Sequence, residues 1–214
     1  MKISQGCSAA AAARRLGLTR GALGLALGLA LAFGASFGAR ADDTGASFKF
    51  LLGQGLTYGG DSLITVPYTD GSQDVFKAGG LVQFYAGGEY RLADKIALQA
   101  TVGYHLNYAK ASSDGSVRFT RIPVDVLALY SLTDNIRVGG GAQWVGRPEL
   151  KGSGLAGNIG QRYDSTLGAI VEGEYLFTPH IGLKLRYVSE RFKPSNGGPS
   201  VDGSHAGLLF SYYF

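Results

Sequence analysis

The chain has 214 residues, enough for one domain of ordinary size. It holds 34 glycines, 12 tyrosines and 11 phenylalanines, yet only 17% of its residues are charged, a balance that excludes a disordered chain. The formal charge of +4 sits at the front: residues 1–41 contain Lys2, Arg14, Arg15, Arg20 and Arg40 and no acid, which leaves 15 basic against 16 acidic residues behind them. The basic isoelectric point therefore gives no support to a nucleic-acid partner. The lone cysteine, Cys7, excludes an internal disulfide framework and a cysteine zinc site.

In chain order, Arg14, Arg15 and Arg20 form a basic region, Gly21 to Phe33 an uncharged apolar stretch, and Ala39-Arg40-Ala41 an A-x-A pattern before Asp42-Asp43. This is the layout of a secretory signal peptide cut after Ala41, so residues 1–41 are expected to be a leader and residues 42–214 the mature domain. Leu16-Gly17 after the two arginines does not continue a twin-arginine motif, and Cys7 precedes the apolar stretch where a lipoprotein cysteine follows it. No other run of eighteen apolar residues exists, which excludes a helical membrane protein.

From Ser47 onward the hydrophobic period is two. A first strand is predicted around Phe48, Phe50 and Leu52, with Gln54 on the apolar parity suggesting a bulge. A second carries Val82, Phe84, Ala86, Gly88 and Tyr90 on one face. The clearest runs from Ile96 to Tyr108, with Ile96, Leu98, Ala100, Val102, Tyr104, Leu106 and Tyr108 opposite Ala97, Gln99, Thr101, Gly103, His105 and Asn107. That length suits a tilted strand crossing a bilayer, which needs about 9–11 residues. Further strands follow at 122–130, 136–144, 167–175, 181–187 and 206–214, eight in all. Pro123 removes a ladder hydrogen bond and implies a second bulge.

Connections alternate in length. Short turns fall at 93–95, 131–135 and 178–180, and longer segments rich in Gly, Ser, Asn and Pro at 59–79, 110–116, 145–162 and 190–204. Short on one side and long on the other marks an outer-membrane barrel, with the short turns periplasmic. A soluble barrel would turn its apolar face inward. Here Tyr90, Tyr130 and Tyr175 stand before short turns and Tyr108, Trp144 and Tyr187 towards long segments, all on the apolar parity, as two interfacial girdles.

The opposite parity then faces a lumen that eight strands leave just wide enough for side chains to fill. Glu89, Arg91, Arg121, Asp125, Arg137, Glu172, Glu174, Lys184 and Arg186 are predicted to form a charge network there, with Glu174 opposite Lys184 and Glu172 opposite Arg186 across the third short turn. A self-satisfying polar plug is one reading of these charges and a gated small-ion path the other.

The sequence ends Leu208-Leu209-Phe210-Ser211-Tyr212-Tyr213-Phe214. Phe210, Tyr212 and Phe214, alternating back from a terminal phenylalanine, resemble the carboxy-terminal signal of outer-membrane proteins, which implies the barrel-assembly machinery as a partner. Over residues 42–214 the chain resembles the OmpA membrane-domain and OmpX-like class of small barrels. The resemblance is one of architecture, without a loop motif that defines a subfamily.

Catalysis needs a nucleophile, a base and an orienter. Some small outer-membrane barrels modify lipid A with Ser and His, but no His-x-Ser arrangement is present. His180 lies in a turn and His105 points inward. Ser204 and His205, near Asp202, diverge because adjacent strand residues face opposite sides. Asp61, Asp70, Asp74, Asp114 and Asp202 lack the spacing of a calcium loop, and Gly139-Gly140-Gly141 lies within a strand, where no phosphate cradle forms. No cofactor, metal site or catalytic residue is therefore expected. The expected function is an envelope structural or surface-interaction role through the long loops. Outer-membrane lipids and lipopolysaccharide are the expected partners; Arg147, Lys151 and Arg162 in the third loop, with Arg191 and Lys193 in the fourth, read first as ordinary solvated loop charges and second as contacts to lipopolysaccharide phosphates. A lipid A-modifying enzyme and a narrow small-solute channel are the alternatives.

Overall fold

The computed structural model describes residues 48–67, 73–111, 115–154 and 157–214; the expected leader over residues 1–41, Asp70 and Asp114 lie outside them. Among the described residues thirteen strands form: β1 (Phe48–Gly59), β2 (Ser62–Pro67), β3 (Gln73–Lys77), β4 (Leu81–Ala93), β5 (Ile96–Ala111), β6 (Gly115–Ser131), β7 (Ile136–Gly154), β8 (Gly160–Arg162), β9 (Thr166–Thr178), β10 (Ile181–Ser189), β11 (Arg191–Phe192), β12 (Val201–Asp202) and β13 (His205–Tyr213). Eight of them, β1, β4, β5, β6, β7, β9, β10 and β13, each pair antiparallel with their neighbours in the chain, and β13 returns to β1. These eight close on themselves as an up-and-down barrel, so none of the eight is an edge strand.

The pleat alternates as the sequence implies, with the apolar set outside. Leu167, Val171 and Leu185 are 72%, 64% and 67% exposed, and the six girdle residues Tyr90, Tyr130, Tyr175, Tyr108, Trp144 and Tyr187 are all exposed. Buried positions on the same strands are instead Gln83, Gln99, Thr101, Asp125, Gln143 and Glu172. An apolar exterior around a polar interior inverts the soluble barrel, and it removes apolar surface from water only if lipid surrounds it.

Glycine makes room on the inner face. A Cβ on Gly53 would fall within the Tyr85 ring, and one on Gly182 would meet the Glu174 carboxylate. The Tyr85 hydroxyl passes over Gly53 to sit 2.7 Å from Ser211 Oγ on the other side of β1, fixing the ring there. Gly53→Val is therefore expected to destabilise the barrel by about 1–3 kcal/mol through overpacking, read as a lower urea midpoint for refolding into micelles.

The two expected bulges fare differently. Gln54 pairs regularly with Phe84 and Phe210, so β1 carries no bulge there; its side chain is half-buried on the outer face. Around Pro123 the ladder is disturbed: the β5–β6 pairing lapses between Val102/Val124 and His105/Arg121, and the β6–β7 register shifts between Thr120 and Ile122.

The long segments are also less irregular than expected. β5 and β6 continue pairing out to Ala111 and Gly115, and β7 runs on to Gly154, where 110–116 and 145–162 read as loops. Beyond the outer girdle the two faces exchange character: apolar Val117, Phe119, Val145 and Leu150 turn inward while Arg118 and Lys151 turn outward. These inward residues pack with Phe76, Ala78, Tyr163 and Phe192 into an apolar core above the lumen. Phe119, Tyr163 and Phe192 meet one another with centroids 5.9–6.0 Å apart.

Candidate functional site

Three polar layers fill the barrel below that apolar cap. Nearest the short turns, Arg137 bridges two acids: its Nη1 donates to Glu89 at 2.7 Å and its Nε to Glu174 at 3.0 Å. Its Nη2 donates to the Tyr213 hydroxyl at 2.8 Å, and that hydroxyl donates to Glu174 Oε1 at 2.6 Å. In the middle layer Glu172 accepts from Lys184 at 2.7 Å and from Arg186 Nε at 2.6 Å. Arg186 Nη1 reaches Asp125 at 2.6 Å, and Asp125 also accepts from Gln143 at 2.9 Å. Gln99 joins the layers, accepting from Lys184 at 2.8 Å and donating to Glu89 at 3.0 Å.

The upper layer is built on Arg121, which donates to Glu190 at 2.5 Å and, through Nε, to His105 Nδ1 at 2.9 Å. With Nδ1 accepting, His105 Nε2 carries the proton and donates to the Thr57 hydroxyl at 2.7 Å. The imidazole therefore cannot take a proton from Thr57. The Phe192 ring lies 5.5 Å from the Arg121 guanidinium and joins this layer to the cap.

The cross-strand register places Glu174 opposite Lys184 and Glu172 opposite Arg186, the juxtaposition read from the third short turn. The ion pairs run differently: Lys184 reaches diagonally to Glu172, while Glu174 is taken by Arg137 and Tyr213. Arg91 does not join the network. It is exposed beside Lys49 and Lys95 at a cavity of ≈ 640 Å³ between the short turns, whose floor is Arg137 and Tyr213. Glu190 lies in the segment 190–204 that reads as a loop, yet it is buried in the upper layer; the inward parity of Gly182, Lys184, Arg186 and Val188 continues to it unbroken.

Lys184 and Arg186 are 0% and 1% exposed. The middle of the lumen is thus filled by side chains paired with one another, below the apolar core. Nor is a catalytic group assembled at Ser204: its hydroxyl donates to the Glu190 carbonyl at 3.4 Å, its amide donates to Asp202, and His205 turns inward to the Gly203 carbonyl. His180 donates through Nδ1 to the Tyr213 carbonyl at 2.8 Å, fastening the last strand to the third short turn. Among the described residues no three His, Cys, Asp or Glu side chains are grouped to hold a metal.

At the long-loop end, segments distant in sequence are stitched together. Asp61 and Asp202 exchange bonds at 2.8 Å, the Thr166 hydroxyl donates to the Arg191 carbonyl at 2.7 Å, and Ser195 donates to Asp164 at 2.7 Å. The result is a built surface over the apolar core.

No protein-family profile and no curated protein matches the sequence. Solved structures do match in fold. The attachment invasion locus protein Ail of Yersinia pestis superposes with a TM-score of 0.52 at 11% identity, covering 78% of this chain and 96% of Ail. Neisserial surface protein A gives a TM-score of 0.49 at 12% identity, covering 79% and 98%. This chain is an eight-stranded closed β-barrel with the fold of distant outer-membrane barrel proteins.

Proposed function

We propose that residues 1–41 export this protein, that residues 42–214 insert in the outer membrane with the long loops outward, and that it serves there as a structural and surface-interaction barrel. One observation supports this reading: paired charges and an apolar cluster fill the inside of the barrel, while Asp61 and Asp202 tie two of the long segments together above it. A barrel filled within and ordered outside offers its environment a surface rather than a passage. Loop order of this kind lowers the entropic cost of binding. Phe210, Tyr212 and Phe214 act as the signal to the barrel-assembly machinery, and outer-membrane lipids and lipopolysaccharide surround the exposed belt.

The test takes cells with and without the protein. An epitope placed between Pro67 and Gln73 is expected to be reached by antibody on intact cells. The protein is expected to stay with urea-washed outer membranes and to migrate faster unboiled than boiled. Lipid A mass spectra should be unchanged, and planar bilayers should show no discrete steps. Loss of one acyl chain from lipid A, or conductance steps abolished by Arg121→Gln, would replace this reading with an enzyme or a channel.

A further inference from the structure

The outward face of the barrel changes character where β6, β7 and β8 leave the aromatic belt. Arg118 on β6 stands directly across from Tyr108 of β5 on one side and from Lys151 of β7 on the other. Tyr108 is exposed and ends the outer girdle on its strand. Arg162 on β8 follows one strand further round, opposite Glu149. Three cations thus form a staggered row across three neighbouring strands, Arg162 lying two residues along from the Gly160 that faces Lys151, beside the Tyr108 that ends the outer girdle on β5.

Like charges directly opposite in a ladder repel, and the row is under-compensated. Glu149 is shared by Lys151 at 2.8 Å and Arg162 at 3.2 Å. Its carboxyl is held below the usual range by the Lys151 hydrogen bond first and the Arg162 hydrogen bond as well, so it stays charged. Among the described residues Arg118 has no acidic partner. Behind the row, Val117, Phe119 and Leu150 point inward into the apolar core, which fixes the backbone beneath the cations. An unpaired guanidinium beside an ammonium is the pairing that an anion with several oxygens bridges.

We infer that Arg118 and Lys151, with Arg162 at the margin, form a binding site for the headgroup of a phosphorylated glycolipid in the leaflet around the long loops. The inference rests on the membrane orientation proposed above and adds Arg118, which sequence reading left out because position 118 fell outside every expected loop. The row spans two strand spacings, about 10 Å, wider than one phosphate, so a sugar headgroup bearing two phosphates fits it better than a single phosphodiester. Glu149 competes with the lipid for Lys151 and sets the affinity.

The full protein, extracted from membranes in mild detergent, is titrated with bisphosphorylated lipid A and with lipid A stripped of phosphate, and complexes are counted by native mass spectrometry. Each cation near a charged headgroup contributes about fivefold. Arg118→Gln and Lys151→Gln together are therefore expected to weaken binding about 25-fold, while Glu149→Gln strengthens it several-fold. Lys95→Gln, in a short turn at the opposite end of the barrel, should leave it unchanged. Binding should also weaken as salt rises. Equal binding of the stripped lipid, or a double variant within about twofold of the parent, overturns the site. Because the titration is done on heat-modifiable protein in detergent, a wrong assignment of membrane or orientation shows separately, as absence from outer membranes or an inaccessible epitope.

Discussion

Glu172→Gln is expected to lower the unfolding free energy of the refolded barrel by about 3–5 kcal/mol, the usual cost of removing one partner from a buried ion pair. Glu172 serves two cations at once, Lys184 Nζ at 2.7 Å and Arg186 Nε at 2.6 Å, and all three side chains are shut off from solvent. The amide keeps the shape and one acceptor but removes the charge. Arg186 retains Asp125 at 2.6 Å, whereas Lys184 is left with the neutral Gln99 at 2.8 Å. The loss should therefore fall mainly on Lys184, and Lys184→Met in the same chain should recover much of it. A double-mutant cycle by urea titration in micelles reads the coupling directly, and an interaction above about 1 kcal/mol is expected for groups sharing a network. A single-variant cost below about 1 kcal/mol, the value of a solvent-exposed pair, would mean that water reaches Glu172. The plug would then be open and the channel reading would return.

Most of the barrel was legible because one physical rule, alternation with period two, holds through the belt on every strand. Ile96 to Tyr108 and Ile122 to Tyr130 gave their faces directly, and the short turns at 93–95, 131–135 and 178–180 fixed their order. Legibility failed where the outer solvent changes. Val117 and Phe119 lie on the same inward parity as Arg121 and Asp125, but an apolar inward residue after a polar inward run looks like the end of a strand. The exchange of character between the faces is instead the mark of a strand leaving lipid: outside the membrane the exterior must be polar, so apolar residues move indoors. The same logic hid Glu190 and Arg118, placed beyond or between the expected strands.

Within the network, charge type was readable and partner choice was not. The turn set Glu174 opposite Lys184, but long side chains reach diagonal positions about as easily as direct ones. Arg137 comes from β7, Glu89 from β4 and Tyr213 from β13, so their meeting depends on closure of the whole barrel. No local pattern announces such a contact. Gln99 and Tyr213 were visible as inward residues, yet their uncharged groups join layers that a search for ions alone leaves separate.

Val126→Arg is expected to cost about 2–4 kcal/mol for insertion into lipid bilayers, as arginine does on the lipid face near the midplane. Val126 points outward about midway between Tyr130 and the long-loop end of the belt, and it is 53% exposed. Its cross-strand neighbours are Ala100 and Ala142, which offer a guanidinium neither charge nor hydrogen bond. Adjacent Asp125 carries its charge at no such cost because the pleat turns it inward, where Arg186 and Gln143 meet it. Leu132→Arg, in a short turn, supplies the comparison: it should cost at most about 1 kcal/mol, since the penalty fades at the interface. Reversible urea titrations of both variants in vesicles measure the difference. In a water-soluble barrel the order would vanish, because arginine at an exposed position replaces apolar surface with a solvated charge. A Val126→Arg chain as stable as Leu132→Arg would therefore sink the membrane reading itself, while a gap of about 2 kcal/mol or more would place the hydrocarbon midplane at Val126.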